Sequence, residues 1–243
     1  MKYHSEKLDF NSLEQNNIDR IQLEMVPESS RILEIGSATG HLAEFLINEK
    51  NCTVTGIESD PEQAAIAEQR GLEMIAGNID NPAVQAELDR RLALGQSFDV
   101  VFMSQVIEHI AEPEAVLLKI QDWLAEDGVL IISTCNIAHW KCRFRLLRGK
   151  WEYEDYGVFD RGHLRFFTLQ SFAVMLEKCG YKVVESGFNF QDFCPFKILF
   201  GFRLLAPSDL LRCIPFIGQG LRKWYIHRMR NLIAIQFVYK AKV

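Results

Sequence analysis

The sequence predicts an α/β fold in which a mostly parallel sheet carries helices on both faces. The first indication is alternation: short apolar, β-branched runs alternate with helical segments between residues 31 and 134. The second is a glycine turn, Gly36 to Gly40, that joins the first strand to a helix. The third is size, since 243 residues with 48% hydrophobic content suffice for one domain, assigned to residues 1–243.

Seven strands and seven helices are predicted from apolar periodicity, and caps mark several of their ends. Asp60 and Pro61 open one helix as N-cap and first residue, and Thr168 caps another that Gly180 ends. The predicted strands are Arg31–Ile35, Cys52–Glu58, Leu72–Ala76, Phe98–Met103, Val129–Thr134, Tyr181–Phe188 and Asn231–Tyr239. The predicted helices are Asn11–Met25, His41–Lys50, Pro61–Arg70, Pro82–Leu94, a helix that begins at Pro113, Ala138–Lys150 and a helix from Thr168 to Cys179.

The glycine turn predicts a ligand site at the carboxyl end of the first strand. Gly36 and Gly40 permit backbone angles that a side chain would disfavour, and they allow a ligand to touch the main chain. Open α/β sheets bind ligands at this kind of strand-to-helix corner. The second strand ends in Glu58, whose carboxylate can accept hydrogen bonds from both hydroxyl groups of a ribose. The corner is therefore predicted to hold a nucleoside.

The spacing of the glycines separates two kinds of nucleoside site. Dinucleotide sites use G-x-G-x-x-G, whereas residues 34–40 read Glu-Ile-Gly-Ser-Ala-Thr-Gly. That stretch resembles the E/D-x-G-x-G-x-G motif of class I S-adenosylmethionine-dependent methyltransferases, with Ala38 in place of the middle glycine. The resemblance implies a Rossmann-like sheet of seven strands, mostly parallel, whose antiparallel last strand lies between strands five and six. The segments after strand five are expected to add α-helical cap insertions.

Four segments, each at the carboxyl end of a predicted strand, match the cofactor site of that family. The resemblance implies that the glycine turn contacts the methionine part, that Glu58 holds the ribose, and that segment 78–80 lies near the adenine amine. The segment after strand four would face the methionine end. The predicted cofactor is S-adenosyl-L-methionine, and its predicted binding residues are Glu34, Gly36, Ser37, Ala38, Gly40, Glu58, Asn78, Ile79, Asp80, Ser104 and Gln105.

The stretch from Ser104 to His109 is the first candidate for catalysis. It resembles the S-E-x-x-E-H stretch of ubiquinone-pathway O-methyltransferases, in which the acids and the histidine can hold a divalent metal. Here Gln105 replaces the first acid, and a neutral amide is a poorer ligand for a hard cation than a carboxylate. No metal site is therefore predicted, and His109 is either a catalytic residue or a structural one.

Two further motifs extend the resemblance over about residues 30–190. Segments 136–140 (Asn-Ile-Ala-His-Trp) and 160–168 (Asp-Arg-Gly-His-Leu-Arg-Phe-Phe-Thr) resemble a bacterial methyltransferase subgroup whose members often accompany glycosyltransferases. That resemblance implies a sugar or lipid-linked glycan intermediate as the acceptor. His163 is a candidate general base, because a histidine with a near-neutral pKa can take the proton of a hydroxyl group. The alternative is a structural role in which His163 is hydrogen-bonded to Asp160.

Basic residues are concentrated in two predicted insertions, 139–165 and 190–230. Residues 193–230 contain seven Lys or Arg and one acid, although the whole chain has a formal charge of −5. This concentration predicts an anionic acceptor, bound by His139, Arg145 and Arg165, because guanidinium groups pair bidentately with phosphate oxygens. Basic amphipathic segments also suit peripheral contact with an anionic membrane. No nucleic-acid partner is expected, since no such binding module is recognised.

Together these features predict an enzyme that methylates a hydroxyl group. Two alternatives stay open: a quinone or other small-molecule O-methyltransferase, and a non-enzymatic S-adenosylmethionine-binding partner that resembles regulatory proteins of methionine metabolism. The six cysteines show no metal-type spacing, and neither a secretory signal nor an apolar spanning run is seen. A cytoplasmic location is therefore expected, with peripheral contact at the inner membrane face as a variant of it. The oligomeric state stays open.

Overall fold

Seven strands and nine α-helices make up the described part of the chain, residues 9–192, 207–212 and 218–243 of the computed structural model. The strands are β1 (Arg31–Ile35), β2 (Thr53–Glu58), β3 (Glu73–Ala76), β4 (Phe98–Ser104), β5 (Leu124–Cys135), β6 (Lys182–Phe190) and β7 (Ala234–Lys242). The helices are α1 (Ile18–Glu24), α2 (His41–Lys50), α3 (Pro61–Gln69), α4 (Pro82–Ala93), α5 (Pro113–Trp123), α6 (Trp140–Leu147), α7 (Leu169–Lys178), α8 (Pro207–Arg212) and α9 (Gly218–Ile233). Short 3₁₀ helices lie at Phe10–Ser12 and Ile107–His109.

The strands form one sheet in the order β3-β2-β1-β4-β5-β7-β6. β1 pairs in parallel with β2 and β4, β2 with β3, and β4 with β5, whereas β7 runs antiparallel to both β5 and β6. The predicted fold class is confirmed, including the antiparallel last strand between the fifth and sixth. The order brings the carboxyl ends of β1 to β5 to one edge of the sheet, where open α/β sheets bind ligands.

Two apolar cores fill the space between the sheet and the helices on its faces. Side chains alternate between the faces along a strand, so Leu33 and Ile35 of β1 belong to one core and Ile32 belongs to the other. The first core includes Trp123 of α5 and Phe172 of α7, and the second receives apolar side chains of α1, α2 and α3. Because helices cover the sheet on both sides, the edge that carries the site has a rigid support.

The first helix is shorter than predicted over Asn11–Met25. A 3₁₀ turn comes first, and α1 begins only at Ile18. The cause is Asn17, whose side-chain oxygen accepts hydrogen bonds from the backbone N–H groups of Asp19 and Arg20 and thereby caps the helix.

Two predicted strand starts differ from the structure by three or more residues. The last strand begins at Ala234 and not at residue 231, because α9 continues through Ile233. β5 begins at Leu124, ahead of the predicted turn at 126–128. Leu124 pairs with Phe98 of β4, and the register then shifts across the intervening residues before regular pairing resumes.

The insertion at 190–230 is described only in part. Its residues 193–206 and 213–217 lie outside the described ranges. In the described part, Asp192 follows β6 and accepts two hydrogen bonds. One comes from the hydroxyl of Tyr225 in α9 at 2.9 Å, and the other from the backbone N–H of Ser208 in α8 at 2.8 Å. These bonds join α8 and α9 to the end of β6. Among the described residues, no helix is long and apolar enough to cross a membrane.

Phe172 of α7 is fully buried, and its ring packs against Phe167, Phe237 and Tyr239 with centroid separations of 4.9, 5.7 and 6.0 Å. We expect Phe172→Ala to lower the free energy of unfolding by about 3–5 kcal/mol, because it leaves a cavity between α7 and β7. Urea denaturation measures this loss. Val174→Ala, on the exposed side of the same helix, is the control and should change stability by about 0.5 kcal/mol or less. Equal losses in the two variants would contradict the assignment.

Candidate active site

The turn after β1 has the backbone geometry that its glycines predicted. Gly36 and Gly40 have φ values of 78° and 76°, in the left-handed region that glycine adopts at no cost. Ala38, which stands in place of a glycine, has a φ of 49° and is therefore in a less common conformation for a residue with a side chain. A Cβ atom at Gly36 would collide with the side chain of Val106. Glycine is therefore required at position 36, because the side chain of Val106 packs directly against the turn there.

Glu58 at the end of β2 is hydrogen-bonded to the turn that follows β1. Its Oε2 atom accepts a hydrogen bond from the backbone N–H of Ala38 at 2.8 Å, and its Oε1 atom accepts from the backbone N–H of Asp60 at 2.9 Å and from the Ser59 hydroxyl at 3.1 Å. An ionised carboxylate has about four acceptor positions, and three are in use. A ribose with two hydroxyl groups would therefore need one donor to move, and the Ser59 hydroxyl can rotate away.

Glu34 of β1 is the buried acid of the site. Its side chain is 2% exposed, and no described residue donates a hydrogen bond to its Oε2 atom. Burial raises the pKa of Glu34 to about 8, the negative charge of Glu58 adds to the rise, and the Ser37 hydroxyl opposes it. A neutral carboxyl group at pH 7 beside an ionised one is an arrangement that occurs at functional sites.

The predicted segments after β3 and β4 reach the same edge of the sheet. Asn78 and Asp80 are exposed, whereas Ile79 is buried and its carbonyl accepts from Gln85. Ser104 ends β4, and its hydroxyl accepts a hydrogen bond from Nε2 of Gln22 in α1 at 2.8 Å. Sequence reasoning missed Gln22, because a glutamine on an amphipathic helix carries no signal of a ligand site.

Gln105 is the centre of a chain of side-chain hydrogen bonds. Its Nε2 atom donates to the Ser133 hydroxyl at 3.0 Å, and its Oε1 atom accepts from Gln236 of β7 at 3.0 Å and from the Cys135 thiol at 3.2 Å. Asn189 of β6 continues the chain by donating to Gln236 at 2.9 Å. An amide donates and accepts at once, which an ionised carboxylate does not. Among the described residues, no group of three or more His, Cys, Asp or Glu side chains could hold a metal ion.

Two histidines meet beside the 3₁₀ helix that follows β4. The rings of His109 and His163 have centroids 4.7 Å apart in an edge-to-face arrangement. His109 Nδ1 lies 3.1 Å from the carbonyl oxygen of Gly162, and His163 Nδ1 lies 3.2 Å from that of Val158. Because a carbonyl only accepts, each Nδ1 must carry the proton, which leaves the Nε2 lone pair of each neutral ring available.

The segment that carries His163 is fixed to the end of β4 through Glu108. The backbone carbonyl of Glu108 accepts from the N–H groups of Leu164 and Arg165 at 2.8 and 3.0 Å. The Glu108 side chain is 1% exposed, and burial raises its pKa to about 7, opposed by the nearby Thr134 hydroxyl and Cys135 backbone. His163 is therefore held at the carboxyl-end edge of the sheet. Asp160, the predicted partner of His163, accepts at its carbonyl from the backbone N–H of His163 and not from the ring.

The three residues predicted to bind the acceptor all have partners within the chain. His139 is 2% exposed, and its Nδ1 atom caps α6 by accepting from the Lys141 N–H at 3.4 Å; burial lowers its pKa to about 4, and the charge of Lys141 adds to this. Arg145 forms an ion pair with Glu154 at 2.7 Å. Arg165 donates to the carbonyl oxygens of Ala111 and Leu164. Their contact with an acceptor stays a prediction.

Residues 10–186 match the family model of a methyltransferase domain. The chain belongs to this methyltransferase family. A ubiquinone biosynthesis O-methyltransferase of Dinoroseobacter shibae is 36% identical to this chain over 159 residues, which cover 64% of this chain and 61% of that protein. The (S)-tetrahydroprotoberberine N-methyltransferase of Eschscholzia californica is 25% identical over 115 residues, 47% of this chain and 31% of that protein. The chain thus spans less than two thirds of the length of either of these two curated relatives.

The solved structures are similar in fold. A structure described as a SAM dependent methyltransferase from Archaeoglobus fulgidus has a TM-score of 0.60 and 14% identity, and the match covers 92% of this chain and 90% of that one. This likeness confirms the Rossmann-like methyltransferase fold.

The predicted cofactor, S-adenosylmethionine, is confirmed by the family, and the site fits it on two observations. The carboxylate of Glu58 lies against the glycine turn, and the Oε2 atom of Glu34 is a buried acceptor without a partner among the described residues. Gly36 to Gly40, Glu34, Glu58 and Ser104 would hold the cofactor, whereas the contribution of each residue stays a prediction.

We expect Glu58→Ala to weaken the binding of S-adenosylhomocysteine, the demethylated cofactor, by at least about 1.5–3 kcal/mol. The substitution removes acceptors for the ribose and also the bond that holds the Ala38 N–H. Glu58→Gln, which keeps one acceptor oxygen, should lose less. Isothermal titration calorimetry measures both, with Glu62→Ala, exposed in the first turn of α3, as the control. Unchanged affinity in Glu58→Ala would exclude Glu58 from the site.

The raised pKa of Glu34 predicts a pH-dependent stability in the cofactor-free protein. Between the ordinary Glu value of 4.5 and about 8, the folded state holds one proton more than the unfolded state, so stability falls as the pH rises through this window. The limiting slope for one proton is about 1.4 kcal/mol per pH unit. Urea unfolding at several pH values should show a flatter profile in Glu34→Gln and an unchanged one in the exposed control Glu28→Gln. A wild-type slope that survives in Glu34→Gln would refute the assignment.

Proposed function

We propose that this protein transfers a methyl group from S-adenosylmethionine to a hydroxyl oxygen, with His163 as the general base. The observation that carries the proposal is the contact of 3.2 Å between His163 Nδ1 and the carbonyl oxygen of Val158. Because a carbonyl only accepts, this contact assigns the proton of the neutral ring to Nδ1 and leaves Nε2 to accept a proton. The ring of His163 lies against that of His109, and His109 belongs to the 3₁₀ helix that follows the carboxyl end of β4. His163 therefore lies at the edge of the sheet that carries the predicted cofactor residues.

The reaction needs alignment and one proton acceptor. S-adenosylmethionine, when bound, supplies an electrophilic methyl group on a sulfonium sulfur. The acceptor hydroxyl would pass its proton to Nε2 of His163 as its oxygen takes the methyl group, and the electron pair of the broken carbon–sulfur bond would stay with the sulfur of the demethylated product. Glu58 and the glycine turn bind and orient, and the buried surroundings of Glu34 and Glu108 exclude water.

The acceptor class is proposed from the residues beyond β5. The resemblance of segments 136–140 and 160–168 supports a sugar or lipid-linked glycan intermediate, whereas the ubiquinone biosynthesis relatives support an aromatic hydroxyl group. The resemblance of segments 136–140 and 160–168 is the more specific of the two and favours the sugar. Since Arg145 and Arg165 have partners within the chain, an anionic group on the acceptor is proposed to meet the exposed bases Lys141 of α6 and, in the segment after it, Arg148 and Lys150.

The proposal is tested by methyl transfer from labelled S-adenosylmethionine to three matched acceptor sets: diphosphate-linked sugars, dihydroxylated benzoates with a prenyl tail, and secondary amines. Label on a sugar oxygen is the expected result. Label on the benzoate alone would keep the O-methyltransferase and replace the acceptor class. Label only on an amine would refute the hydroxyl acceptor, since an unprotonated amine needs no base.

We expect His163→Gln to lower kcat by about 10²- to 10⁴-fold, as removal of a general base does, with the affinity for S-adenosylhomocysteine unchanged. Burial and the neighbouring His109 lower the pKa of His163 below its ordinary value of 6.5. Since the base acts in its neutral form, kcat of the wild type should be constant above neutral pH and fall as the pH drops below that lowered pKa. His227→Gln, at an exposed position of α9, is the control. Wild-type turnover in His163→Gln would exclude it as the base.

A further inference from the structure

Gln22 of α1 is a fully buried polar side chain at the edge of the sheet that holds the cofactor. Its exposure is 0%, and it lies over the end of β4, where its Nε2 atom donates to the Ser104 hydroxyl at 2.8 Å and to Asp19 Oδ1 at 3.0 Å. The other end of the amide, Oε1, is buried and has no hydrogen-bond partner among the described residues. Buried polar atoms are nearly always hydrogen-bonded, so we expect Gln22 Oε1 to accept a hydrogen bond from a bound ligand.

The orientation of this amide is fixed by its neighbours. An ionised carboxylate only accepts hydrogen bonds, so the group that faces Asp19 must be the NH₂ end of Gln22. Both of its N–H bonds are then in use, one on Asp19 and one on Ser104. The carbonyl oxygen cannot exchange places with the nitrogen without placing an acceptor against an acceptor.

The helix that carries Gln22 is itself held in place. Asn17 caps its first turn, and the ammonium group of Lys50 donates to the carbonyls of Leu23 and Val26 at 2.7 and 2.5 Å. The ammonium group of Lys240 donates to the carbonyl of Met25 at 2.9 Å. Cations at a helix C-terminus satisfy carbonyls that have no partner within the helix. Gln22 is therefore positioned before any ligand arrives.

Gln22 Oε1 and Glu34 Oε2 are both buried acceptors without a hydrogen-bond partner among the described residues, and α1 places Gln22 over the face of the sheet from which Glu34 projects. Glu34 pairs in register with Phe102, and both belong to the face that α1 covers. Ser104 follows Phe102 by two positions and so projects from that face beside Gly36, the first residue of the turn. The hydroxyl that Gln22 holds thus lies next to the strand end from which Glu34 projects.

We infer that Gln22 is a cofactor-binding residue whose Oε1 atom accepts a hydrogen bond from the α-ammonium group of the methionine part of S-adenosylmethionine. Glu34 of β1 provides the second acceptor. Asp19, which accepts a hydrogen bond from Gln22, adds negative charge, and Ser104 positions the Gln22 amide. The nucleoside part does not reach these groups, because the ribose is held at the other end of the turn by Glu58. This division of the ligand into two halves makes the inference testable.

The experiment compares two ligands in each protein by isothermal titration calorimetry. S-adenosylhomocysteine carries the α-ammonium group, and 5′-methylthioadenosine has the same nucleoside thioether but no amino acid part. Gln22→Met, which keeps the length and removes both amide ends, should weaken S-adenosylhomocysteine by roughly 10- to 100-fold and methylthioadenosine by less than about 2-fold. Glu24→Gln, on the exposed side of α1, is the matched control and should change neither.

A second variant covers the case in which Gln22→Met fails to fold. Ser104→Ala removes only the hydroxyl that orients the amide and should show the same selective loss at roughly 3- to 10-fold. Equal weakening of both ligands would assign Gln22 a purely structural role and overturn the inference, as would unchanged affinity for S-adenosylhomocysteine. Failure of the wild type to bind either ligand would overturn the cofactor assignment itself and the inference with it.

Discussion

The carboxylate of Glu58 is the interaction on which the site depends. It joins two loops that are remote in sequence, because it accepts from the N–H of Ala38 in the turn after β1 and from that of Asp60 at the start of α3. The bond to Ala38 stabilises a left-handed conformation that is uncommon for alanine, with a φ of 49°. The same charge helps to keep Glu34 protonated. Glu58 thus contributes both to the shape of the turn and, in addition to the larger effect of burial, to the raised pKa of Glu34.

The neighbouring half of the site is built from neutral groups. Gln105 replaces an acid found in the ubiquinone-pathway stretch that this segment resembles, and the structure gives a physical reason for the amide. It must donate to Ser133 and accept from Gln236, so it joins β5 to β7 across the end of the sheet. An ionised carboxylate in this position would have no proton to donate to Ser133.

Much of this arrangement could be predicted from the sequence, because short-range patterns determine it. The turn from Gly36 to Gly40, the acid at the end of β2 and the alternation of strands and helices each need only local spacing. Gln22 could not be found in this way, since its partner Ser104 is 82 residues distant and a helical glutamine is usually exposed. The positive charge of Arg145 is the only basis in the sequence for predicting that it faces the acceptor. A count of charges does not reveal that Glu154, nine residues further on, already pairs with it.

The position of β7 has a consequence for how the chain acquires its site during synthesis. β7 follows the other six strands in sequence, yet it lies inside the sheet, between β5 and β6. Until it leaves the ribosome, β6 has no neighbour to pair with and the edge of β5 is open. Gln105 also lacks its bond to Gln236 until then. The half of the sheet formed by β1 to β5 can therefore form while translation continues, whereas the half that contains β6 can form only after β7 has emerged.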